Sequence, residues 1–495
     1  MKTPRHLTAL AAAAALLPAA ALAQGSISSL GASNVRASGI SPDGQAVAGY
    51  GSNLAHYWTT VFPAFVSAGD GLGSEVKISN GATFMSADIT DPANNLKTAA
   101  RWDASSSLWT PLPTLGSSSG TSASTAYDMS GDGGRIVGLA WKTAGEAHAF
   151  SWTPAGGTVD IGLWQPGPGW SSRANAVSSN GQFAAGLQTS PQRAIRWNLA
   201  AGTGTYLGSL SPSNPVYGPS TAFGISADGT YVVGTSDSRA FIWSAATGMQ
   251  TVGVLGTPGL GNAGYGLAVS SDGNTVVGWS GANFINSEAL IWKRGWAVPE
   301  KLQDYLVNNG VPEAASQWQV LKYAADISDD GRFIVGWGVT ASGQNEGFRV
   351  EMPVAMPSAY CTAKVNSLGC SPAINSIGYA SASSSQPFLI TCSNVLNNKS
   401  GLLFYGFGQI AAPFQGGYLC VQPPSTRTPL QLSGGTTGFP DCSGQYSYDF
   451  NALIRSGVDS RLFQGVSACA QYWMRDPASI PTVGLSNGLG FVINP

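Results

Sequence analysis

The chain has 495 residues, of which only 10% are charged and 64 are Gly, and its formal net charge is −2. So little charge, without a basic block, excludes the electrostatic footprint of a nucleic-acid-binding protein. The length exceeds that of one ordinary domain and predicts two.

Residues 1–23 predict a secretory signal peptide. Lys2 and Arg5 provide a basic start, an Ala- and Leu-rich run follows, and Ala21-Leu22-Ala23 is a cleavage site of the Ala-x-Ala type. The apolar run contains Pro18 and is too short to remain as a membrane span. We therefore expect a secreted, monomeric mature chain without a membrane span, starting near Gln24.

A motif consisting of an apolar run, a Gly-containing turn and a later Ala-x-x-Trp returns through residues 24–352. A clear copy is the segment 224–234 followed by Ala240-Phe241-Ile242-Trp243. The end of the motif recurs at intervals of roughly 44 to 58 residues, the spacing of a repeat array. Its seven copies end at Trp58, Trp102, Trp152, Trp197, Trp243, Trp292 and Val350.

Each copy predicts four short antiparallel strands, the unit of a β-propeller blade. In the fifth copy, Asp228-Gly229 predicts a two-residue hairpin turn in which both residues have positive φ. The seventh copy lacks a fourth strand, whereas residues 27–31 predict a strand that precedes the first copy. Pairing the two would cover exposed strand edges. The predicted fold is all-β: a seven-bladed β-propeller at 24–352, closed by an N-terminal strand, followed by a disulfide-containing β-sandwich.

The segment 147–152, Ala-His-Ala-Phe-Ser-Trp, resembles the extracellular HAF-type repeat, together with the Ile-Val-Gly before it and the Asp-Ile-Gly after it. The resemblance spans roughly residues 35–352, and only one copy keeps the complete His-Ala-Phe. It implies an exported bacterial repeat protein and no particular activity. His56 and His148 occupy equivalent repeat positions, so neither is predicted to be catalytic.

A Pro-containing linker at 353–359 precedes a domain at 360–495 that holds all the cysteines: Cys361, Cys370, Cys392, Cys420, Cys442 and Cys469. Six cysteines in an exported chain predict three disulfides with fifteen possible pairings. Closeness in sequence favours Cys361–Cys370 and Cys420–Cys442, which leaves Cys392–Cys469. A zinc site is the alternative, but the chain has no Cys-x-x-Cys pair and no His after residue 148. Short apolar runs between Gly- and Asn-rich turns predict a β-sandwich.

Several segments of this domain resemble a C-terminal domain of large exported proteins of planctomycetes and similar bacteria. They are residues 360–364, 400–406, 413–420, 441–444 and 471–476. The resemblance implies export and no particular chemistry.

Aromatic side chains in the loops between strands are the candidate ligand-binding residues, because ring faces with few neighbouring charges suit stacking on sugars. They are Trp141, Trp164, Trp170, Tyr217, Tyr265 and Trp279 in the repeats, with Tyr472 and Trp473 in the C-terminal domain. Packing at the rim is the alternative interpretation. In the C-terminal domain we expect exposure of Tyr446, Tyr448, Tyr472, Trp473 and Arg475.

The sequence predicts no catalytic residue and no cofactor. The segments 116–120 and 484–488 match Gly-x-Ser-x-Gly, but only His148 follows the first and no His follows the second. The segments 128–133 and 326–331 approach the calcium-loop pattern but lack its final Glu, so bound calcium is only an alternative. Loop acids that would have to serve a glycosidase are predicted to be solvated: Glu146, Asp237, Glu288 and Glu346.

The predicted function is that of an exported, non-catalytic binding or cell-surface protein for a glycan or surface polymer. The alternative is an extracellular hydrolase or lyase that cleaves polysaccharide at the mouth of the propeller channel. Three or more acid, Arg or Tyr side chains meeting at one end of the channel would favour that alternative.

Overall fold

The protein is described by a computed structural model that covers residues 22–23, 25–61, 64–71, 75–143, 145–162, 170–216, 218–257, 261–382, 384 and 386–494. The strands of its repeat region are, in chain order, β1 (Leu22–Ala23), β2 (Ser26–Ser29), β3 (Arg36–Ile40), β4 (Ala46–Gly51), β5 (Leu54–Thr59), β6 (Val66–Asp70), β7 (Lys77–Ile78), β8 (Phe84–Thr90), β9 (Lys97–Asp103), β10 (Leu108–Pro111), β11 (Ser124–Met129), β12 (Ile136–Thr143), β13 (Glu146–Thr153), β14 (Gly157–Asp160), β15 (Ser172–Val177), β16 (Phe183–Gln188), β17 (Arg193–Asn198), β18 (Thr203–Tyr206), β19 (Ser220–Ile225), β20 (Tyr231–Ser236), β21 (Arg239–Ser244), β22 (Gly248–Gly253), β23 (Ala263–Val269), β24 (Thr275–Gly281), β25 (Ser287–Lys293), β26 (Glu300–Lys301), β27 (Trp318–Ile327), β28 (Phe333–Thr340) and β29 (Asn345–Glu351). A 3₁₀ turn (Asn80–Ala82) and two short helices, α1 (Leu302–Asn308) and α2 (Glu313–Ser316), complete this region.

Within the described residues, strands β2 to β29 form seven four-stranded antiparallel sheets, and β1 pairs with a later strand. Sheets 1 to 6 each use four strands in chain order and begin with β3, β7, β11, β15, β19 and β23. Sheet 7 consists of β27, β28, β29 and β2, so strands from both ends of the repeat region pair with each other. An array of four-stranded antiparallel sheets is the arrangement of a β-propeller-like fold.

In every sheet except sheet 2, a β-bulge in the first strand explains the Gly that closes the apolar run of the motif. In sheet 5, Phe223 is the extra residue, because Ala222 pairs with Gly234 and Gly224 pairs with Val233. A Cβ atom at Gly234 would lie 1.9 Å from the carbonyl oxygen of Thr221, so no side chain fits there. The motif therefore requires glycine at this position, because two strands approach each other too closely for a side chain.

The turn that follows each first strand differs from the predicted one. Gly229 has a φ of 80°, but Asp228 has no positive φ. Instead the Asp228 carboxylate accepts a hydrogen bond from Ser226 Oγ at 2.8 Å, and the Gly229 N–H donates to the Ser226 carbonyl at 2.9 Å. The prediction of a two-residue turn is wrong here, because the Asp side chain organises a wider loop. A two-residue turn with positive φ occurs at Asp237-Ser238, between β20 and β21.

The repeated aromatic and aliphatic residues form the contacts between neighbouring sheets. Val137 and Ala149 of sheet 3 share an apolar cluster with Ile195 and Trp197 of sheet 4. An equivalent cluster joins the first and last sheets, where Phe333 of sheet 7 packs with residues of β3 and β4. Burial of these faces is the main source of stability in such an array.

The C-terminal elements are, in chain order, β30 (Val354–Ala355), β31 (Ser358–Tyr360), β32 (Ala373–Ile377), β33 (Leu389–Val395), β34 (Ser400–Gly406), β35 (Gln409–Phe414), β36 (Gly417–Val421), β37 (Thr426–Arg427), β38 (Gln431–Leu432), β39 (Gly444–Asp449), α3 (Phe450–Ser456), β40 (Ser467–Arg475) and β41 (Val483–Val492). One sheet has the order β31-β41-β40-β34-β37, with β38 on β34, and a second has the order β32-β33-β39. Residues of both sheets contribute to one apolar core, including Ile390, Tyr446, Tyr472 and Phe491.

The disulfides join Cys361 to Cys420 and Cys370 to Cys442, whereas Cys392 and Cys469 are buried free thiols. The predicted pairing and the predicted third disulfide, Cys392–Cys469, are therefore wrong. The reason is sheet order: β31 pairs with β41, and β36 packs against β41, so Cys361 meets a cysteine that is distant in sequence.

Disulfides of this kind are typical of extracellular or periplasmic proteins. Among the described helices, none combines the length and the apolar character needed to cross a membrane.

Candidate ligand-binding cavity

The first strands of all seven sheets border a single cavity of about 600 Å³. Each of β3, β7, β11, β15, β19, β23 and β27 contributes residues to its lining. We call this cavity, which every sheet borders, the central cavity. Central cavities that several elements border are common ligand sites, so we take this one as the candidate site.

One end of the cavity, which we call the floor, is lined by the turns that follow the first strands. Backbone hydrogen bonds of 2.9 Å link these turns from sheet to sheet, including Asp329 N–H to Pro42 O, Asn80 N–H to Gly131 O and Gly131 N–H to Ser179 O. The Ser179 hydroxyl, in sheet 4, also donates to the Asp329 carboxylate of sheet 7 at 3.0 Å. Burial raises the pKa of Asp329 to about 7, although this hydrogen bond favours the ionised form.

Two of the residues that line the cavity at one repeated position are charged. The residue after the bulge is Ala176, Gly224 or Ala268 in sheets 4 to 6, whereas it is Asp128 in sheet 3 and Asp326 in sheet 7. Lys77 of β7 lies on the same wall. Because a small uncharged residue occupies the position after the bulge in sheets 4 to 6, packing of the repeat does not require a charged residue at that position.

Lys77 and Asp326 form an ion pair at 3.1 Å, with 17% and 18% of their side chains exposed to the cavity. Burial opposes the charge of Lys77, but Asp326, Asp128 and Glu75 together raise its pKa above the usual range. Lys77 therefore remains protonated and neutralises Asp326.

Asp128 and Asp326 each accept one hydrogen bond within their own sheet through Oδ1 and one from another sheet through Oδ2. Asp128 accepts hydrogen bonds from the N–H groups of Met129 and of Val177 in sheet 4, each at 2.8 Å. Asp326 accepts from the Ile327 N–H at 2.9 Å and from Ile40 of sheet 1 at 3.2 Å. Burial raises the pKa of Asp128 to about 7, while Lys77 acts in the opposite direction. These two carboxyl groups are held as structural acceptors, which does not favour a role in catalysis.

Sheets 6 and 7 supply an aromatic wall, defined as Tyr265, Trp279, Tyr323, Phe284 and Trp337. Tyr265 and Trp279 are paired across two strands and stack in parallel, with ring centroids 4.1 Å apart. Tyr323 follows at 6.1 Å from Trp279, and Phe284 lies 5.4 Å from Tyr323. The wall therefore offers a continuous series of rings to the cavity.

Two arginines of the lining have no acidic partner. The Arg36 guanidinium lies 4.4 Å from the ring centre of Trp337, and that of Arg173 lies 5.0 Å from the ring centre of Tyr127. Within the described residues neither side chain forms an ion pair or a hydrogen bond, and Arg173 Nε is buried without a partner. Glu75 is also without a hydrogen bond, and its burial raises its pKa although Lys77 and Arg173 oppose this.

A second cavity of about 540 Å³ adjoins the first, and Arg36 and Tyr50 line both. Asn34, Asn53 and Lys97 provide polar groups in its wall. An extended ligand in the central cavity could therefore continue past Arg36 into a polar groove.

Two of the predicted ligand-binding residues, Tyr265 and Trp279, lie in the aromatic wall. Trp141 and Trp170 do not line the cavity, and Trp164 and Tyr217 lie outside the described residues.

In the C-terminal domain, Tyr472 is fully buried and its hydroxyl donates to the Ile390 carbonyl at 2.9 Å. Tyr446 is also buried and stacks on Tyr472 at 5.4 Å, so the expected exposure of both tyrosines is wrong. Trp473 is half-buried beside Phe404 and Val421.

The loop acids and the calcium-like segments have other partners. Glu288 pairs with Lys301 at 2.7 Å, and Asp237 pairs with Arg239. Asp132 accepts from the Gly134 N–H at 2.8 Å and so organises its own turn. Among the described residues, no group of three or more His, Cys, Asp or Glu side chains is arranged to hold a metal ion.

Comparison with known proteins gives weak structural similarities only. The chain matches no protein-family model and no curated protein. A putative TolB from Agrobacterium tumefaciens is 12% identical over 65% of this chain and 91% of its own, with a TM-score of 0.33. TolB from Acinetobacter baumannii is 10% identical over 64% of this chain and 63% of its own, with a TM-score of 0.34. A prolyl endopeptidase structure is 11% identical over 75% of this chain and 54% of its own, with a TM-score of 0.38. Similarities this weak assign neither a family nor an activity.

Proposed function

We propose that the chain is an exported, non-catalytic binding protein whose central cavity takes a glycan or surface polymer. The observation that carries this proposal is the Tyr265–Trp279 stack at 4.1 Å, which lines the cavity and continues into Tyr323. Aromatic faces accompanied by a few polar groups are the usual lining of a small-molecule site. Among the described residues of the lining, the charged side chains without an ion pair or a hydrogen bond are Arg36, Arg173 and Glu75.

The proposal includes one closed ring of seven blades as the platform for this site. The supporting observations are that seven first strands border the cavity and that Phe333 of sheet 7 packs against sheet 1. The hydrogen bond from Ile40 of sheet 1 to Asp326 of sheet 7 also supports closure.

Export is proposed from the composition of residues 1–23 together with the two disulfides. The resemblance to the HAF-type repeat agrees with an exported, cell-surface role. The C-terminal sheets with a shared core are proposed to form a β-sandwich that serves as a second binding or attachment module.

A polysaccharide-cleaving enzyme is the second candidate, because Glu75, Lys77, Asp128 and Arg173 meet in one cavity with perturbed pKa values among them. Glycosidases require two carboxyl groups on either side of the scissile bond. Asp128 and Asp326 are engaged by backbone N–H groups and Asp329 by the Ser179 hydroxyl. Among the described lining residues, Glu75 is therefore the one carboxyl group without a hydrogen bond. Binding is therefore the function that the geometry supports better.

The test is to incubate residues 24–495 with a panel of oligosaccharides and to measure both binding and newly released reducing ends. We expect binding without product, and Trp279→Ala should weaken binding at least about tenfold because it removes an aromatic ring that lines the cavity. Trp141→Ala is the matched control and should bind as the unmodified protein does. Time-dependent product, or binding that Trp279→Ala leaves unchanged, would contradict the proposal.

A further inference from the structure

We propose that the ligand of the central cavity is an acidic glycan whose carboxylate groups bind Arg36 and Arg173. This inference rests on the proposed function and narrows it to one class of ligand. It takes its support from the position of the two arginines in the repeat, their lack of partners and the charge balance around them.

The two arginines occupy the same register position, two residues before the bulge of the first strand. Arg36 pairs with Tyr50 in sheet 1, and Arg173 pairs with Leu187 in sheet 4. In sheets 3 and 5 the equivalent residue is Thr125 or Thr221. Because threonine also satisfies this position, packing of the repeat does not require an arginine there.

Both guanidinium groups lack the acidic partner that Arg239, Arg332 and Arg461 have. Arg332 pairs with Glu351 at 2.6 Å and Arg461 pairs with Asp459 at 2.7 Å. Arg173 Nε is in addition buried without a partner, which costs free energy in the unbound protein. The planar guanidinium group matches a carboxylate with two parallel hydrogen bonds.

Aromatic rings hold both guanidinium groups in place at the cavity wall. Arg36 lies over Trp337 at 4.4 Å and over Phe284 at 5.1 Å, and both rings belong to the aromatic wall. Arg173 lies over Tyr127 at 5.0 Å. Stacking uses the face of a guanidinium group and leaves the N–H donors at its edge available to a ligand. A sugar ring on the aromatic wall would therefore have a carboxylate receptor beside it.

The acidic residues of the lining do not prevent an anion from binding. Lys77 neutralises Asp326, and burial raises the pKa values of Asp128 and Asp329 to about 7. Glu75 is the remaining acid and lies within the electrostatic influence of Arg173. The adjoining cavity adds Lys97, although this lysine already pairs with Asp88 at 2.9 Å.

The experiment uses residues 24–495 and isothermal titration calorimetry with three probes: tetragalacturonate, its fully methyl-esterified form and cellotetraose. We expect tetragalacturonate to bind at least about tenfold more tightly than its ester, because two charge-assisted contacts are lost on esterification. Arg36→Gln and Arg173→Gln should each weaken tetragalacturonate binding about tenfold and leave binding of the neutral probes unchanged.

Arg196→Gln is the matched control, because Arg196 stacks on Phe183 at 4.1 Å but does not line the cavity. Arg36→Lys and Arg173→Lys keep the charge and should recover part of the affinity, and melting temperatures will show that every variant is folded. An ester that binds as tightly as the acid, or arginine variants without effect, would overturn the acidic ligand. If cellotetraose, a neutral probe, then binds the unmodified protein but binds Trp279→Ala more weakly, the proposed function is still supported.

Tetraglutamate is a further probe that separates a glycan from an acidic peptide. We expect it to bind at least about tenfold more weakly than tetragalacturonate, because it has no sugar rings to stack on the aromatic wall. Equal binding of tetraglutamate would overturn the glycan class. A protein that binds none of these probes would overturn both the inference and the proposed function.

Discussion

The Nζ atom of Lys77 lies 3.1 Å from Oδ2 of Asp326, although the two residues are 249 positions apart in the chain and belong to sheets 2 and 7. Gly39 of sheet 1 allows this contact, because a Cβ atom there would lie 2.8 Å from Cδ of Lys77. The ion pair therefore spans sheet 1 and connects the sheets on either side of it.

We expect Lys77→Met to lower the free energy of unfolding by on the order of 2 kcal/mol, because Asp326 loses its cation but keeps two N–H donors. Asp326→Asn in the Lys77→Met background should cost less than it does alone. The measurement is urea denaturation in a double-mutant cycle.

Lys142→Met is the control, because Lys142 pairs with Asp160 at 3.0 Å on the surface, and its loss should change stability by at most about 1 kcal/mol. An equal effect of the Lys77 and Lys142 substitutions would contradict a structural role for the Lys77–Asp326 pair.

Asp128 predicts a pH dependence of stability. Because its pKa is raised to about 7 in the folded state, the folded protein binds a proton more tightly than the unfolded chain. The resulting stabilisation is complete below about pH 4 and is lost as pH rises through about 7. Melting temperatures of the unmodified protein should therefore fall between pH 5 and 8 more steeply than those of Asp128→Asn.

Asp132→Asn is the matched control for this pH series. The pKa of Asp132 is lowered by hydrogen bonds from Ser130 and Gly134, so this group stays ionised from pH 5 to 8. The variant should keep the pH slope of the unmodified protein. Parallel slopes for Asp128→Asn and the unmodified protein would show that Asp128 does not titrate in this range.

The cysteines predict two thiols that react only after unfolding. Cys392 and Cys469 are buried, and burial raises the pKa of each thiol, so neither should be alkylated by iodoacetamide in the native protein. In denaturant without reductant, mass spectrometry should find two alkylated thiols and the Cys361–Cys420 and Cys370–Cys442 cross-links. Detection of a Cys392–Cys469 cross-link would refute this assignment.

Removing the Cys370–Cys442 disulfide by a double Ser substitution should lower the free energy of unfolding of the C-terminal domain by on the order of 4 kcal/mol, because this disulfide closes a long loop. The control is Cys392→Ser, which breaks no disulfide but places a hydroxyl in an apolar core. If the double variant unfolds at the same urea concentration as the unmodified protein, the disulfide does not constrain the unfolded chain.

Because β2 pairs with β29, we expect residues at the start of the repeat region to stabilise the sheet at its end. Leu30 is fully buried in the cluster between sheets 1 and 7, and its N–H donates to the Gly347 carbonyl at 2.9 Å. Leu30→Ala should destabilise the protein by about 3 kcal/mol in urea denaturation. Leu108→Ala, at a residue that is 65% exposed, should change stability by less than about 0.5 kcal/mol. Similar effects of the two substitutions would argue against closure by this strand.

The repeat made much of the fold predictable, whereas the cavity depends on contacts between distant copies. The recurrence of Trp and Gly predicts four-stranded units. Tyr265 and Trp279 were predicted as ligand-binding residues in loops, but they lie on β23 and β24, so the predicted loop position is wrong. Lys77 and Asp326 could not be connected from the sequence, because their contact crosses a third sheet. A comparison of the copies by register would have singled out Arg36 and Arg173, since the equivalent residues are threonine or tyrosine.

The predictions were wrong in two situations. In one, residues that are neighbours in space are distant in sequence, and in the other, a side-chain hydrogen bond determines the conformation of a turn. Cys361 pairs with Cys420 because the order of strands in the C-terminal sheets does not follow the order of the chain. Asp228 was expected to adopt positive φ, but its carboxylate organises the turn through Ser226.

The most direct test of the central claim, that the cavity bordered by all seven sheets is the ligand site, is an NMR titration of the indole N–H signals. The chain has 15 tryptophans, and Trp279→Phe and Trp337→Phe would assign the two signals of the aromatic wall. On addition of tetragalacturonate and, separately, of cellotetraose, a bound probe should shift Trp279 and Trp337 and leave the buried Trp197 unchanged. Binding that shifts Trp473 or other signals but neither Trp279 nor Trp337 would contradict the claim.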